Sequence, residues 1–250
     1  MKKVLCLFLY NFCIAHCTFA QNNISGVLKY SQITAFEDTT RRNLIPVSLY
    51  FNQYESITSN GILQKMNSQD SSRILPPIEQ KKRHSIYVNL SKREMRSRER
   101  ADRELVIIKD TLENIDWEIL PQKRLIGDIK CQLAKAVVRG RKYNAWFAPE
   151  IPLSLGPWKL QGLPGLIMAA KAEDNQVEFR FEALVMPDPN KTTIESLEPL
   201  LKMKTVNQSE FLKLRKTNDE NFMKMMEAQP DFEKGSVTFK TSSIEIFPEK

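Results

Sequence analysis

Strict alternation of apolar and charged residues constrains this chain more than any other feature. Val177, Phe179 and Phe181 alternate with Glu178, Arg180 and Glu182, giving an extended segment one greasy face and one charged face. The same period of two recurs at Val47, Leu49 and Phe51, at Ile86, Val88 and Leu90, and at Ile115, Trp117 and Ile119. Residues 105–108 and 133–138 read as more fully buried strands. Asn60-Gly61, Pro76-Pro77, Asp174-Asn175 and residues 187–190 break the runs, and 138–143 read as a tight hairpin around Gly140. Residues 55–83, with Ser, Asn and Gln throughout, read as a long loop. Half-buried strands joined by turns build antiparallel sheets. The expected fold class is mainly β (α+β): a curved antiparallel sheet or half-barrel with one main C-terminal helix.

That helix is written at 207–228. Asn207 is an N-cap residue, and Glu210, three positions on, completes a capping-box pattern. Phe211, Leu214, Phe222, Met225 and Met226 then fall near one helical face, and Pro230 closes the segment. Residues 187–206 form a connector, and 236–239 and 244–247 are expected to add short strands.

The N-terminus has a different character. Lys2 and Lys3 precede an apolar run over 4–14, and Thr18 and Ala20 place small residues before a cut at Gln21. This is the pattern of a secretory signal peptide over 1–20, leaving one β-rich domain over 21–250. The bulky His16 before Cys17 argues against a lipid-attachment site there. Cleavage removes Cys6, Cys13, Cys17 and His16, so the exported chain keeps only Cys131 and His84. It also lowers the formal net charge from +7 to +5 as Lys2 and Lys3 leave. One cysteine makes no intramolecular disulfide, so stability must come from an ordinary core. No later apolar run approaches the ~20 residues of a membrane helix.

Residues 145–168 read AWFAPEIPLSLGPWKLQGLPGLIM, with two charges, Glu150 and Lys159, against four prolines and three glycines. Pro164-Gly165 between Leu163 and Leu166 has the form of a type II turn, with Gly165 supplying a positive φ. Gly156-Pro157 bends the chain earlier. The segment is therefore a stiff apolar loop that delivers Leu166, Ile167 and Met168 into a strand.

Gly162-Leu163-Pro164-Gly165-Leu166-Ile167 resembles the hexapeptide that names the GLPGLI family, secreted proteins of the Bacteroidetes. Asp116-Trp117, then residues 126–132, Ala134, residues 145–152 and Gly156-Pro157 follow the family's order, so the resemblance covers 100–186 closely and the rest loosely. It implies a cell-envelope protein, periplasmic or outer-membrane associated, often alongside outer-membrane receptor systems, with no established reaction or catalytic residues. The strand-rich pattern is also similar in architecture to half-barrel periplasmic carriers of lipoprotein acyl chains, an analogy of fold and not of function.

Two readings of the apolar loop stand at this point. Trp146, Phe147, Trp158, Leu163 and Pro164 are candidate contacts for an apolar ligand, peptide or envelope partner, with Gly162 and Gly165 setting the loop's geometry. Alternatively, Trp146, Phe147, Trp158, Leu163 and Leu166 plug the open end of the sheet. The leading expectation is a non-enzymatic binding or accessory protein. A hydrolase using Glu150 or Cys131 and a purely structural envelope component are the alternatives. Cys131 lies between apolar neighbours, which suits a small buried hydrophobe better than a nucleophile. One His and one Cys do not make a zinc site, and Met223, Met225 and Met226 at helical spacing suit packing, so no metal and no cofactor is expected. Residues 81–103 carry nine basic and three acidic residues with Tyr87 as their only aromatic. That pattern suits a solvated hairpin better than nucleic-acid binding.

Overall fold

The computed structural model describes residues 24–35, 42–60, 85–101, 104–188, 203–229 and 244–245. They form β1 (Gly26–Thr34), β2 (Asn43–Phe51), β3 (Glu55–Asn60), β4 (Ser85–Asn89), β5 (Glu94–Ala101), β6 (Glu104–Thr111), β7 (Glu118–Ile126), β8 (Ile129–Val138), β9 (Arg141–Ala148), β10 (Leu166–Ala172), β11 (Val177–Val185), β12 (Thr205–Asn207) and helix α1 (Gln208–Glu227). The twelve strands make one open sheet in the order β12-β6-β5-β4-β3-β2-β1-β11-β10-β9-β8-β7. Two meanders, β1 to β6 and β7 to β11, meet where β1 pairs with β11 along nearly their whole length. Only β12 runs parallel to its neighbour, β6.

The mainly β architecture and, among the described residues, the single C-terminal helix agree with the sequence patterns. Tight hairpins fall at Gly127-Asp128 and at Arg139-Gly140, where Gly127, Arg139 and Gly140 have positive φ (58°, 50° and 79°), as two-residue turns between right-twisted strands require. Helix α1 starts at its predicted cap. The Asn207 side chain accepts from the Glu210 N–H at 2.9 Å, and the Asn207 N–H donates to Glu210 Oε2 at 2.8 Å. Phe211 and Leu214 pack on Ala101, Val106, Ile108 and Val206, making a small second core at the β12 edge.

Three local expectations are corrected. Residues 55–60 are not loop but strand β3: its buried Ser56 and Thr58 replace the usual large apolar residues, with Thr58 in register between Leu49 and Ile86. The hydroxyl-rich composition disguised a buried face. The alternation at Ile115, Trp117 and Ile119 does not make a strand over its whole length, since β7 begins at Glu118. Residues 112–117 instead buttress the apolar loop. Finally, the helical face fades along α1, with Phe222 and Met225 exposed at 42% and 55%. The expected signal peptide, residues 61–83 of the expected loop, His84 and the expected strand at 236–239 lie outside the described residues. Residues 244 and 245 are described and form no strand.

Candidate functional site

The apolar loop hangs between β9 and β10 and folds back on the sheet face that bears Tyr143, Ala145 and Phe147. Its backbone is tied down by Gly162 N–H to the Ser154 carbonyl (3.1 Å), Leu166 N–H to Ile151 (2.9 Å) and Ile167 N–H to Leu155 (2.9 Å). From the flank, the Trp117 indole N–H donates to the Gln161 carbonyl at 2.8 Å, and the Gln161 amide donates to the Glu113 carbonyl at 2.7 Å. Tyr30, fully buried, donates its hydroxyl to the Ile167 carbonyl at 2.6 Å. Burial holds that phenol's pKa well above its ordinary value. Leu153, Leu155, Trp158, Leu160 and Leu163 are all buried, and the Trp158 ring lies 6.1 Å from Tyr143, centroid to centroid.

The two glycines act differently from the turn pattern. Gly165 does not occupy the left-handed region, so the type II turn is not formed as expected. It is required because a Cβ there would run into the Ala148 carbonyl. Gly162 is the residue with positive φ, at 91°, and it has room around it, with Trp117 Nε1 3.8 Å from where a Cβ would sit. Trp158 also has a positive φ, 56°, an uncommon geometry for a bulky residue, held by the packing of its ring.

Charge enters this face in one place. Lys159, 4% exposed, pairs with Glu245, 10% exposed. Beside it Arg141 pairs with Asp174 and donates from Nε to the Ile244 carbonyl at 3.2 Å. The described piece of C-terminal chain is therefore fastened to the loop by a buried ion pair.

The opposite face of the same strands is open. Trp146, half-buried, lies in register between Leu133 of β8 and Ala169 of β10. Two positions along the strands, Asn144 lies between Lys135 and Lys171, and Lys171 lies opposite Glu178 in the β10–β11 register. An apolar row thus adjoins a polar row, separated by about 7 Å along the strand at ~3.3 Å per residue. Here β10 and β11 pair at only two positions, and the β7–β8 turn reaches Phe181, whose ring is 3.3 Å from a Cβ built on Gly127. The result is a cleft of about 590 Å³, lined among others by Arg124, Leu125, Leu133, Trp146, Lys171 and Phe181.

Arg124 closes over the floor of this cleft. Its Cζ is 4.2 Å from the Trp146 ring centroid, a cation–π contact. Partial burial lowers the guanidinium's pKa, opposed by the nearby Cys131 and Glu178. The Asn144 Oδ1 is buried with no hydrogen-bond donor among the described residues, which leaves an acceptor for a water or hydroxyl in the polar row.

The sequence candidates separate accordingly. Phe147, Trp158 and Leu163 lie in the core, Pro164 is at the surface, and Trp146 lines the cleft. Cys131 is buried, and desolvation pushes its thiol up to about 11, against the pull of Arg124 and with a small push from Glu150. That leaves little thiolate near neutrality. Glu150 is exposed at the end of β9. No cluster of three or more His, Cys, Asp or Glu suited to a metal occurs among the described residues. Sequence reading missed Arg124, Lys135 and Lys171, whose meeting depends on register across three strand pairings.

Comparison with known proteins gives a family-model match over part of the chain and a likeness of fold. Residues 78–169 match the family model "Protein of unknown function (Porph_ging)". That match ends in the middle of β10, and its name points to a Porphyromonas gingivalis-associated family of the Bacteroidetes. No curated protein matches the chain. Two crystal forms of PNGF-II resemble it with a TM-score of 0.52 at 11% identity, over 76% of this chain. The chain spans about a third of the PNGF-II chains, 32% and 33% of their length. At that identity the likeness concerns the fold alone. Among the described residues no helix is long and apolar enough to cross a membrane.

Proposed function

We propose that this is an exported cell-envelope protein of the GLPGLI type, periplasmic or outer-membrane associated, that binds an apolar ligand or partner segment without catalysing a reaction. The observation that carries this reading is the cleft of about 590 Å³ with Trp146 on its floor, a size typical of small-molecule sites. The basic, apolar and small-residue pattern of residues 1–20 supports export, and the hexapeptide at 162–167 supports the family assignment. Binding is assigned to the Trp146 side of the sheet, because Phe147, Trp158 and Leu163 are already occupied by core packing.

The neutral dye N-phenyl-1-naphthylamine tests the binding reading. The purified protein is expected to enhance its fluorescence, and Trp146→Ala to abolish the enhancement while leaving the far-UV spectrum unchanged. A wild-type protein that does not take up the dye is a structural component, and the reading fails. Export is tested separately by sequencing the N-terminus of the protein from the producing cell. The expected first residue is Gln21, and a retained Met1 overturns that part.

A further inference from the structure

We infer that the occupant of the cleft is a single-chain amphiphile with an anionic head, a long-chain carboxylate in its simplest form. This rests on the reading of the cleft as a binding site and adds the charge of what it binds. The lining combines Leu125, Leu133, Trp146 and Phe181 with four cations, Arg124, Lys135, Lys171 and Arg180, against one carboxylate, Glu178. Glu178 is engaged by Arg180 at 3.1 Å. Lys135 leans to Glu173, outside the lining, at 3.8 Å. Among the described residues Arg124 and Lys171 make no ion pair. Positive charge is therefore in excess where the cleft is partly shielded from water, and a bound anion is the group that would balance it.

The arrangement also fixes how such a ligand lies. Lys135 and Lys171 flank Asn144 in the polar row, and the apolar row through Trp146 begins about 7 Å further along the strands. A head at the lysines places the chain over Leu133, Trp146 and Ala169. Arg124 covers the Trp146 ring. Its exposed, flexible side chain is the part that must move for the chain to reach that ring.

Calorimetric titration with oleate, with oleyl alcohol and with acetate, all below their aggregation limits, tests the inference. Oleate is expected to bind at least tenfold tighter than oleyl alcohol, and acetate not to bind. Lys171→Gln is expected to weaken oleate about tenfold and to leave oleyl alcohol unchanged, the loss expected for one charge-assisted contact. Lys123→Gln, exposed on β7 outside the lining, is expected to change neither. Oleyl alcohol binding as tightly as oleate, or Lys171→Gln with oleate binding intact, overturns the anionic head while leaving the apolar cleft standing. Failure of both long-chain probes and of the neutral dye removes the binding reading itself.

Discussion

The two faces of β8, β9 and β10 are written by alternate residues of the same strands, yet they meet opposite fates. On one, Tyr143, Phe147 and Ile167 are at most 1% exposed beneath the apolar loop. On the other, Trp146, Lys135 and Lys171 face a cleft. The difference comes from connectivity. The loop leaves β9 at Ala148 and must re-enter at Leu166, so it can fold over one face only, and its prolines stiffen it there. The covered face is closed by hydrogen bonds and packing. The other keeps its excess charge and its half-covered tryptophan.

Truncation breaks this comparison most sharply. Leu163→Ala removes a fully buried side chain from the covered face and is expected to cost about 2–5 kcal/mol, whereas Trp146→Ala on the open face should cost less than half of that. Urea midpoints at equal m-value measure both. If the two lose equal stability, the faces are not different in kind.

Next in size is the pair of glycines. Gly165→Ala drives a methyl into the Ala148 carbonyl and is expected to cost about 3 kcal/mol. Gly162→Ala meets only backbone strain at its positive φ, about 1–2 kcal/mol. Reversal of that order in thermal melts would mean that the positive φ at Gly162 outweighs the close approach of Gly165 to Ala148.

Alkali gives a smaller effect, through the linkage of proton release to unfolding. Burial raises the Cys131 thiol to about 11, raises the Tyr87 phenol to about 12 together with its bond to Glu55, and raises Tyr143 further. The folded state therefore holds protons that the unfolded chain releases above about pH 9 for cysteine and 10 for tyrosine. This contribution is fully present below pH 9 and is lost as pH climbs through 11 and 12. Urea midpoints at pH 8 and pH 10.5 should differ in that direction. For the same reason Cys131 should resist alkylation at pH 8 in the folded protein.

The smallest expected effect is that of Arg124→Gln, within about 1 kcal/mol by chemical denaturation, because a largely exposed cation over a ring contributes little to stability. Its signature is optical. Uncovering Trp146 should shift the tryptophan emission to the red, and an unchanged spectrum would remove Arg124 from its place over the ring.

Much of the strand pattern was legible because alternation is a local property. Val177 to Glu182 and the capping box at Asn207 and Glu210 each declare their structure within six residues. Strand β3 was hidden because hydroxyls took the buried positions, and the turn at Gly165 was misread because a clash with Ala148 is invisible along the chain. The cleft was legible only as Trp146. Its partners Arg124, Lys135 and Lys171 sit on three other strands, and the pairing registers, with the short β10–β11 ladder, bring them together.

By itself the sequence determined that this chain forms strands with one apolar face, that a stiff apolar loop interrupts them, and that a capped helix follows. Those outcomes depend on backbone sterics and on the spacing of side chains a few residues apart. Tertiary structure alone decided which face the loop would cover and which would stay open. That choice depends on contacts between residues far apart in the chain, such as Tyr30 with Ile167 and Lys159 with Glu245, which no local pattern encodes.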